Sequence, residues 1–153
     1  MPLAELAIGD FGQALAANAR GIFLAMKFEI AAMLETGGGA IVNMSSTAGL
    51  YGVQGIAGYV AGKHAILGLT RTAALDYADR NIRVNAVAPG PIASHRLTVL
   101  PEGVRAGIAA SIPLRRLGVP GEVAAAVTWL SSDRASFITG ATIPIDGGKT
   151  ARE

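Results

Sequence analysis

The sequence contains no cysteine, which excludes a disulfide framework, a thiolate metal site and a cysteine nucleophile. Charged residues make up only 16% of the chain, and its 13 Lys and Arg are scattered without a run, so the electrostatic pattern of a nucleic-acid-binding protein is lacking. The most apolar stretch, 22–34, carries Lys27 and Glu29 and is too short to span a bilayer. No signal-peptide pattern opens the chain. We therefore expect a cytoplasmic protein with no metal site and with neither nucleic acid nor membrane as a partner.

The residues that are present favour a globular fold. The chain has 153 residues, of which 51% are hydrophobic, and it contains 20 glycines. This length and composition suit one α/β domain spanning 1–153 and exclude disordered and collagen-like chains.

Hydrophobic periodicity predicts the order of the elements. An amphipathic helix is expected over 11–36, because apolar residues recur near the 3.6-residue period after Asp10 and three glycines end the pattern. A second long helix over 58–78 is apolar on most sides. The remaining predictions are strands at 40–44, 82–87 and 141–145 and helices at 102–110 and 121–130. The strand–helix–strand order over 40–87 predicts a crossover between parallel strands.

Tyr59 and Lys63 are four residues apart, so on a helix they lie on the same face. A neighbouring cation favours the ionised form of a phenol, and such a pair can therefore act as an acid or a base. The spacing alone also fits a tyrosine at a helix start beside a solvated lysine.

Ser45 and Ser46 follow the first predicted strand, where open α/β sheets bind ligands beyond the carboxyl ends of the strands. Serine pairs also form turns and helix caps. Asn18 is unfavourable in the middle of an alanine-rich helix, so its amide either contacts solvent or has a specific role.

Together these elements resemble the short-chain dehydrogenase/reductase family. The resemblance covers nearly the whole chain and is carried by the order and spacing of the segments 18–23 (NARGIF), 41–46 (IVNMSS), 59–63 (YVAGK), 69–71 (LTR), 83–90 (RVNAVAPG), 138–140 (ITG) and 146–148 (DGG). It implies an α/β fold with a partial Rossmann-like, doubly wound parallel sheet, in which three C-terminal strands are flanked by helices.

The resemblance also implies a reaction, namely hydride transfer between NAD or NADP and an alcohol or ketone. Tyr59 would be the general acid or base, Lys63 would assist it and bind the nicotinamide ribose, and Ser46 would hold the substrate oxygen. Asn18 matches the family's fourth catalytic position, which orients a water next to the lysine. We predict that the serine, tyrosine and lysine converge on one pocket with Asn18 behind them.

The same resemblance assigns a cofactor-binding loop. Tyr59 and Lys63 would contact the cofactor together with Pro89, Gly90, Ile92 and Ser94. The backbone of Ile92 would read the carboxamide, and Ser94 stands where the family usually has threonine. The apolar side chains Leu97, Val99, Leu100, Val104 and Ile108 in the following loop would favour an apolar or lightly polar substrate.

A dinucleotide site also needs a glycine-rich turn after its first strand to receive the pyrophosphate. Here the glycines at 37–39 precede a strand, those at 49, 52, 55 and 58 do not form G-x-G-x-x-G, and the family's Asn-Asn-Ala-Gly element is absent. Family members run to roughly 250 residues. We interpret the chain as the truncated, C-terminal catalytic half of such an oxidoreductase, which leaves the choice between NAD and NADP open.

Two other functions stay open. The chain could be a non-catalytic remnant that acts as an association module, because the resemblance implies a homo-oligomer built through helices 11–36 and 58–78. A hydrolase that uses Ser46 with His64 or His95 is disfavoured, since no G-x-S-x-G surrounds the serine.

Overall fold

The computed structural model describes residues 1–151. Its helices are α1 (Ile8–Leu15), α2 (Gly21–Thr36), α3 (Ala57–Tyr77), α4 (His95–Thr98), α5 (Glu102–Ala110) and α6 (Pro120–Ser131). Its strands are β1 (Gly39–Met44), β2 (Ile82–Pro89) and β3 (Thr142–Ile145). The predicted order of long helices and strands is confirmed, with boundaries that differ by a few residues.

The three strands form a parallel sheet in the order β1-β2-β3. Gly39 pairs with Ile82 at the start of the first ladder, and Met44 pairs with Val87 at its end. Pro144 lies in β3, an edge strand, where a missing backbone N–H is tolerated. Within residues 1–151, β1 also has no strand on its outer side.

Helices cover both faces of the sheet, which is the doubly wound arrangement. Residues alternate along β2, so that Ile82 and Val84 face α2 and α3, whereas Val87 faces α6. On the first face the buried side chains include Met26, Ile30, Ile41, Ala73 and Ala74. On the second they include Val123, Leu130 and Ala135.

The first long helix differs from its prediction. It begins at Ile8, and a π-helical segment, Ala16–Arg20, separates α1 from α2. Asn18 lies in that segment, and its side-chain amide donates to the carbonyl of Ala14 at 2.9 Å. Hydrophobic periodicity did not predict this bulge, because a π-helical segment is a single-turn feature and this one is only five residues long.

The short helix α4 was not predicted either. No element was predicted between the strand 82–87 and the helix 102–110, yet His95–Thr98 forms one turn, with the amide of Thr98 donating to the carbonyl of Ser94 at 2.9 Å. Four residues are too few for an apolar period to appear in the sequence. Among the described residues, no helix combines the length and apolar character needed to cross a membrane.

Two polar side chains of β2 hold the segment that connects α6 to β3. The guanidinium of Arg83 donates to the carbonyls of Leu130 at 2.8 Å and Ser132 at 3.1 Å, which lie at the end of α6. Asn85 donates to the carbonyl of Ile138 at 2.8 Å and accepts from the amide of Ala141 at 3.0 Å. The polar residues of the RVN motif therefore satisfy backbone groups that the turn leaves without partners.

Replacing Arg83 with methionine is expected to lower the free energy of unfolding by about 2–3 kcal/mol, because carbonyls at the end of α6 lose a charged donor. Urea denaturation followed by circular dichroism measures the change. Arg71→Met, on the exposed side of α3, is the matched control and should change the stability by less than about 0.5 kcal/mol. Equal losses in the two variants would contradict this account of Arg83.

Candidate functional site

A cavity of about 600 Å³ lies at the carboxyl ends of β1 and β2. Seven of the residues expected at the site line it, namely Ser46, Tyr59, Lys63, Pro89, Gly90, Ile92 and Ser94. The strand ends contribute the serine and the start of the loop, while α3 contributes the tyrosine and lysine. The cavity therefore brings together residues from three separate segments of the predicted site, 46, 59–63 and 89–94.

Ser46 begins the short 3₁₀ turn Thr47–Gly49 and is half-buried. Its hydroxyl oxygen accepts a hydrogen bond from the amide of Ala48 at 3.2 Å. The turn-forming interpretation of the serine is therefore correct, and the same hydroxyl lies at the cavity. Because the oxygen accepts this bond, the hydroxyl hydrogen is available to a ligand.

Tyr59 and Lys63 are one turn apart near the start of α3. The Nζ of Lys63 lies 5.6 Å from the centroid of the Tyr59 ring and donates to the carbonyl of Met44 at 3.1 Å. Burial lowers the pKa of Lys63 below its ordinary value, because desolvation disfavours the ammonium. The phenol is 38% exposed, so a ligand in the cavity can reach it.

Asn18 is not among the residues that line the cavity, but it packs against the helix that carries the tyrosine and lysine. Gly62 lies between Tyr59 and Lys63 in the sequence, and a Cβ at Gly62 would be 2.8 Å from the Cβ of Asn18. A glycine at this position is what allows the π-helical segment to approach α3 so closely. Asn18 thus lies behind the pair, although its amide is used within its own helix.

The loop 89–94 is held by its neighbours on two sides. Ile92 forms a bridge with Gly118, in which the amide of Ala93 donates to the Gly118 carbonyl at 2.8 Å and the Gly118 amide donates to the Pro91 carbonyl at 3.0 Å. On the other side, a Cβ at Gly90 would be 2.8 Å from the Cβ of Asp146. The loop therefore has a defined position relative to the strand ends.

Asp146 belongs to the turn that supports Gly90. Its burial opposes ionisation, but hydrogen bonds from the side chain and amide of Thr150 and from the amides of Gly148 and Lys149 outweigh this, so the pKa of Asp146 is below its ordinary value. The family resemblance included 146–148, but it did not predict this contact with the loop.

One side of the cavity was not anticipated. Pro120, Val123, Ala124 and Val127 of α6 line it, together with Met44. By contrast, the apolar residues at 97, 99, 100, 104 and 108 are not among the lining residues, and Val99 and Val104 are 64% and 49% exposed. The apolar lining of this cavity therefore comes from α6, whereas Leu97, Leu100 and Ile108 are half-buried outside it.

Neither histidine lines this cavity. The ring of His64 contacts the carbonyl of Val60 through Nδ1 at 2.9 Å on the exposed side of α3, and His95 is exposed in α4. The described residues therefore offer no histidine beside Ser46, and the arrangement does not support a serine hydrolase.

Comparison with known proteins identifies the family of the chain. A family model described as enoyl-(acyl carrier protein) reductase matches residues 1–150. The chain belongs to the short-chain dehydrogenase/reductase family. Cyclohexanol dehydrogenase of Acinetobacter sp. (strain SE19) is 45% identical over 148 residues, a match that covers 97% of this chain and 58% of that protein.

Two further matches extend the comparison. The 2,5-dichloro-2,5-cyclohexadiene-1,4-diol dehydrogenase of Sphingobium indicum is 44% identical over 99% of this chain and 62% of its own length. The solved structure of ElxO with NADP bound has a TM-score of 0.93 and 35% identity, over 98% of this chain and 62% of that one. The chain thus spans about three fifths of the length of the relatives it matches.

The burial of Lys63 leads to a prediction about its titration. We expect its amine to become reactive towards an acylating reagent at a lower pH in the folded chain than after unfolding in denaturant, because desolvation favours the neutral amine. Mass spectrometry of the peptide containing Lys63 over a pH series gives the midpoint in each state. Identical midpoints in the folded and unfolded states would show that the ammonium is not desolvated.

Proposed function

We propose that the protein is an NAD(P)-dependent oxidoreductase that interconverts an alcohol and a ketone. The observation that carries the proposal is the convergence of Ser46, Tyr59 and Lys63 with the loop 89–94 on one cavity. Membership of the family supports the reaction class, since the matched relatives are named as dehydrogenases and reductases.

In the proposed reaction Tyr59 transfers a proton between its phenol oxygen and the substrate oxygen. The ammonium of Lys63, 5.6 Å from the ring centroid, favours the phenolate electrostatically. Ser46 donates its hydroxyl hydrogen to the substrate oxygen and stabilises negative charge there. Asn18, behind the pair, would orient a water next to the lysine.

The nicotinamide end of NAD or NADP fits the residues at the cavity. An ammonium has three hydrogens to donate, and the carbonyl of Met44 accepts one of those of Lys63, which leaves others for ribose hydroxyls. Pro89, Gly90, Ile92 and Ser94 would hold the nicotinamide, with the Ile92 backbone at its carboxamide. When bound, the nicotinamide supplies or accepts the hydride.

The proposed substrate is a neutral secondary alcohol on a six-membered carbon ring, or the corresponding ketone. Lys63 is the one charged residue among those that line the cavity within residues 1–151, and the α6 side of the cavity is apolar. Two relatives support a ring of this size by their names, cyclohexanol dehydrogenase and 2,5-dichloro-2,5-cyclohexadiene-1,4-diol dehydrogenase.

The 153-residue polypeptide by itself is expected to show no saturable binding of NAD(H) or NADP(H) in calorimetry. Its sequence has no glycine-rich turn for the pyrophosphate, and each charge-assisted hydrogen bond lost there costs about 1.5–3 kcal/mol. Two or three such bonds correspond to a loss of several orders of magnitude in affinity. Saturable binding at ordinary cofactor concentrations would contradict this expectation.

A chimera tests the reaction itself. This chain would be fused behind the part of the Acinetobacter cyclohexanol dehydrogenase that it does not span, and oxidation of cyclohexanol would be followed by the absorbance of reduced nicotinamide. Tyr59→Phe is expected to lower kcat by about 10²–10⁴-fold, because the proton donor or acceptor is lost, while cofactor binding is retained. The matched control is Tyr77→Phe at the far end of α3, which should leave kcat unchanged. Wild-type turnover by the Tyr59→Phe chimera would exclude the proposed acid–base role.

The second candidate function is association without catalysis, and the exposed surface of α2 favours it. Phe23, Leu24 and Phe28 are 49%, 41% and 68% exposed on this helix, a larger apolar surface than isolated side chains produce. The helix α3 contributes less exposed apolar surface for association than expected. Its Leu67 is only 3% exposed, and Leu75 is its one strongly exposed large apolar residue.

We expect the chain to self-associate through the α2 surface at micromolar concentration. Sedimentation should show an oligomer that Phe28→Lys dissociates, since a charge in an apolar contact is costly. Val104→Lys, on the half-exposed side of α5, is the control and should leave the oligomer intact. A monodisperse wild-type monomer would exclude this association.

A further inference from the structure

Lys63 is attached at two points to the end of β1. Its ammonium donates to the carbonyl of Met44 at 3.1 Å, and its own backbone carbonyl accepts a hydrogen bond from the hydroxyl of Ser45 at 3.0 Å. Ser45 is 4% exposed, so this bond is shielded from bulk water. The strand end therefore holds both the backbone and the tip of the lysine.

Gly49 packs against the hydrogen bond between the Ser45 hydroxyl and the Lys63 carbonyl. A Cβ at this position would lie 2.5 Å from the Oγ of Ser45 and 2.8 Å from the carbonyl oxygen of Lys63. Side chains essentially never make contacts that short, so the turn after β1 can pack here only as glycine. The turn, the serine hydroxyl and the α3 carbonyl thus form one close contact, which we term the Ser45 clamp (Ser45, Gly49 and the carbonyl of Lys63).

The clamp acts on the spacing between the two halves of the site. Ser46 is next to Ser45 in the sequence, and Tyr59 is one turn before Lys63 on α3. The hydrogen bond between Ser45 and Lys63 therefore also sets the distance from the Ser46 hydroxyl to the phenol of Tyr59 and the ammonium of Lys63. The strand itself does not need the hydroxyl, because the amide of Ser45 donates to the carbonyl of Val87 at 2.9 Å. Removal of the hydroxyl should therefore loosen the helix turn and leave the sheet intact.

We propose that Ser45 is a positioning residue, whose buried hydroxyl holds the turn of α3 that carries Lys63 against the end of β1. The inference rests on the proposed function of Lys63. Ser45 also lines the cavity, but its hydroxyl hydrogen is donated to the carbonyl of Lys63, so it acts through the lysine. Without the hydroxyl, the ammonium leaves the carbonyl of Met44 and becomes more exposed to water. Hydration then favours its charged form.

The test is the titration of Lys63 in Ser45→Ala, measured by acylation and mass spectrometry in the folded and unfolded chain. The expected result is an upward shift of the folded-state midpoint towards the unfolded value. Ser111→Ala is the matched control, because its hydroxyl also donates to a backbone carbonyl, that of Ile108 at 2.7 Å, at the end of α5. It should leave the midpoint of Lys63 unchanged.

An unchanged midpoint in Ser45→Ala, or an equal shift in Ser111→Ala, would overturn the proposal. Ser45→Cys keeps the shape of the side chain but offers only a weak donor, so an intermediate shift is expected, and this variant decides the question if Ser45→Ala does not fold. The readout needs neither cofactor nor substrate. An inactive chimera would therefore count against the proposed reaction, whereas the midpoint of Lys63 would still decide the role of Ser45.

Discussion

β2 is the strand on which the rest of the structure depends. Its residues Ile82, Val84 and 85–88 are completely buried, because β1 and β3 pair with it on both sides and helices cover both faces. A strand buried in this way can carry polar side chains only where backbone groups satisfy them. Arg83 and Asn85 meet that condition and, by doing so, fix the path of the chain from α6 to β3. The end of the same strand starts the loop 89–94, so the fold and the proposed cofactor contacts share one support.

The site forms where that sheet meets α3, and its precision depends on close contacts. Gly62 lets the segment around Asn18 reach the helix, and Gly49 lets the turn after β1 pack on the bond between Ser45 and Lys63. Within the described residues, Tyr59 and Lys63 thus have the segment around Asn18 packed behind them, and the end of β1 contacts Lys63. A burial that removes water from Lys63 also lowers its pKa, so packing and acid–base chemistry are linked at this residue.

The residues proposed for catalysis and those needed to bind a whole dinucleotide are distributed unequally over this chain. The cavity carries the residues that we propose to hold the nicotinamide end of a cofactor, while the chain spans about three fifths of the length of its relatives. A groove of about 410 Å³ runs along the outer side of β1, between that strand and α2, and Met44 lines both the groove and the cavity. Unpaired strand edges are sites of pairing or aggregation. We therefore expect the isolated polypeptide to be most prone to aggregation along the outer edge of β1.

Much of this architecture follows from local pattern. The long helices and the three strands could be predicted because apolar residues recur at helical spacing in the first helix and form short runs bounded by glycine or proline in the strands. The strand–helix–strand order then predicted a parallel sheet. The family resemblance located Ser46, Tyr59, Lys63 and the loop 89–94, which do lie at one cavity. Contacts between distant segments could not be read in this way. The π-helical turn at Asn18, the Ser45 bond to Lys63 and the lining by Val123 and Val127 depend on how closely separate elements pack, and a linear pattern of residue types carries no information on that distance.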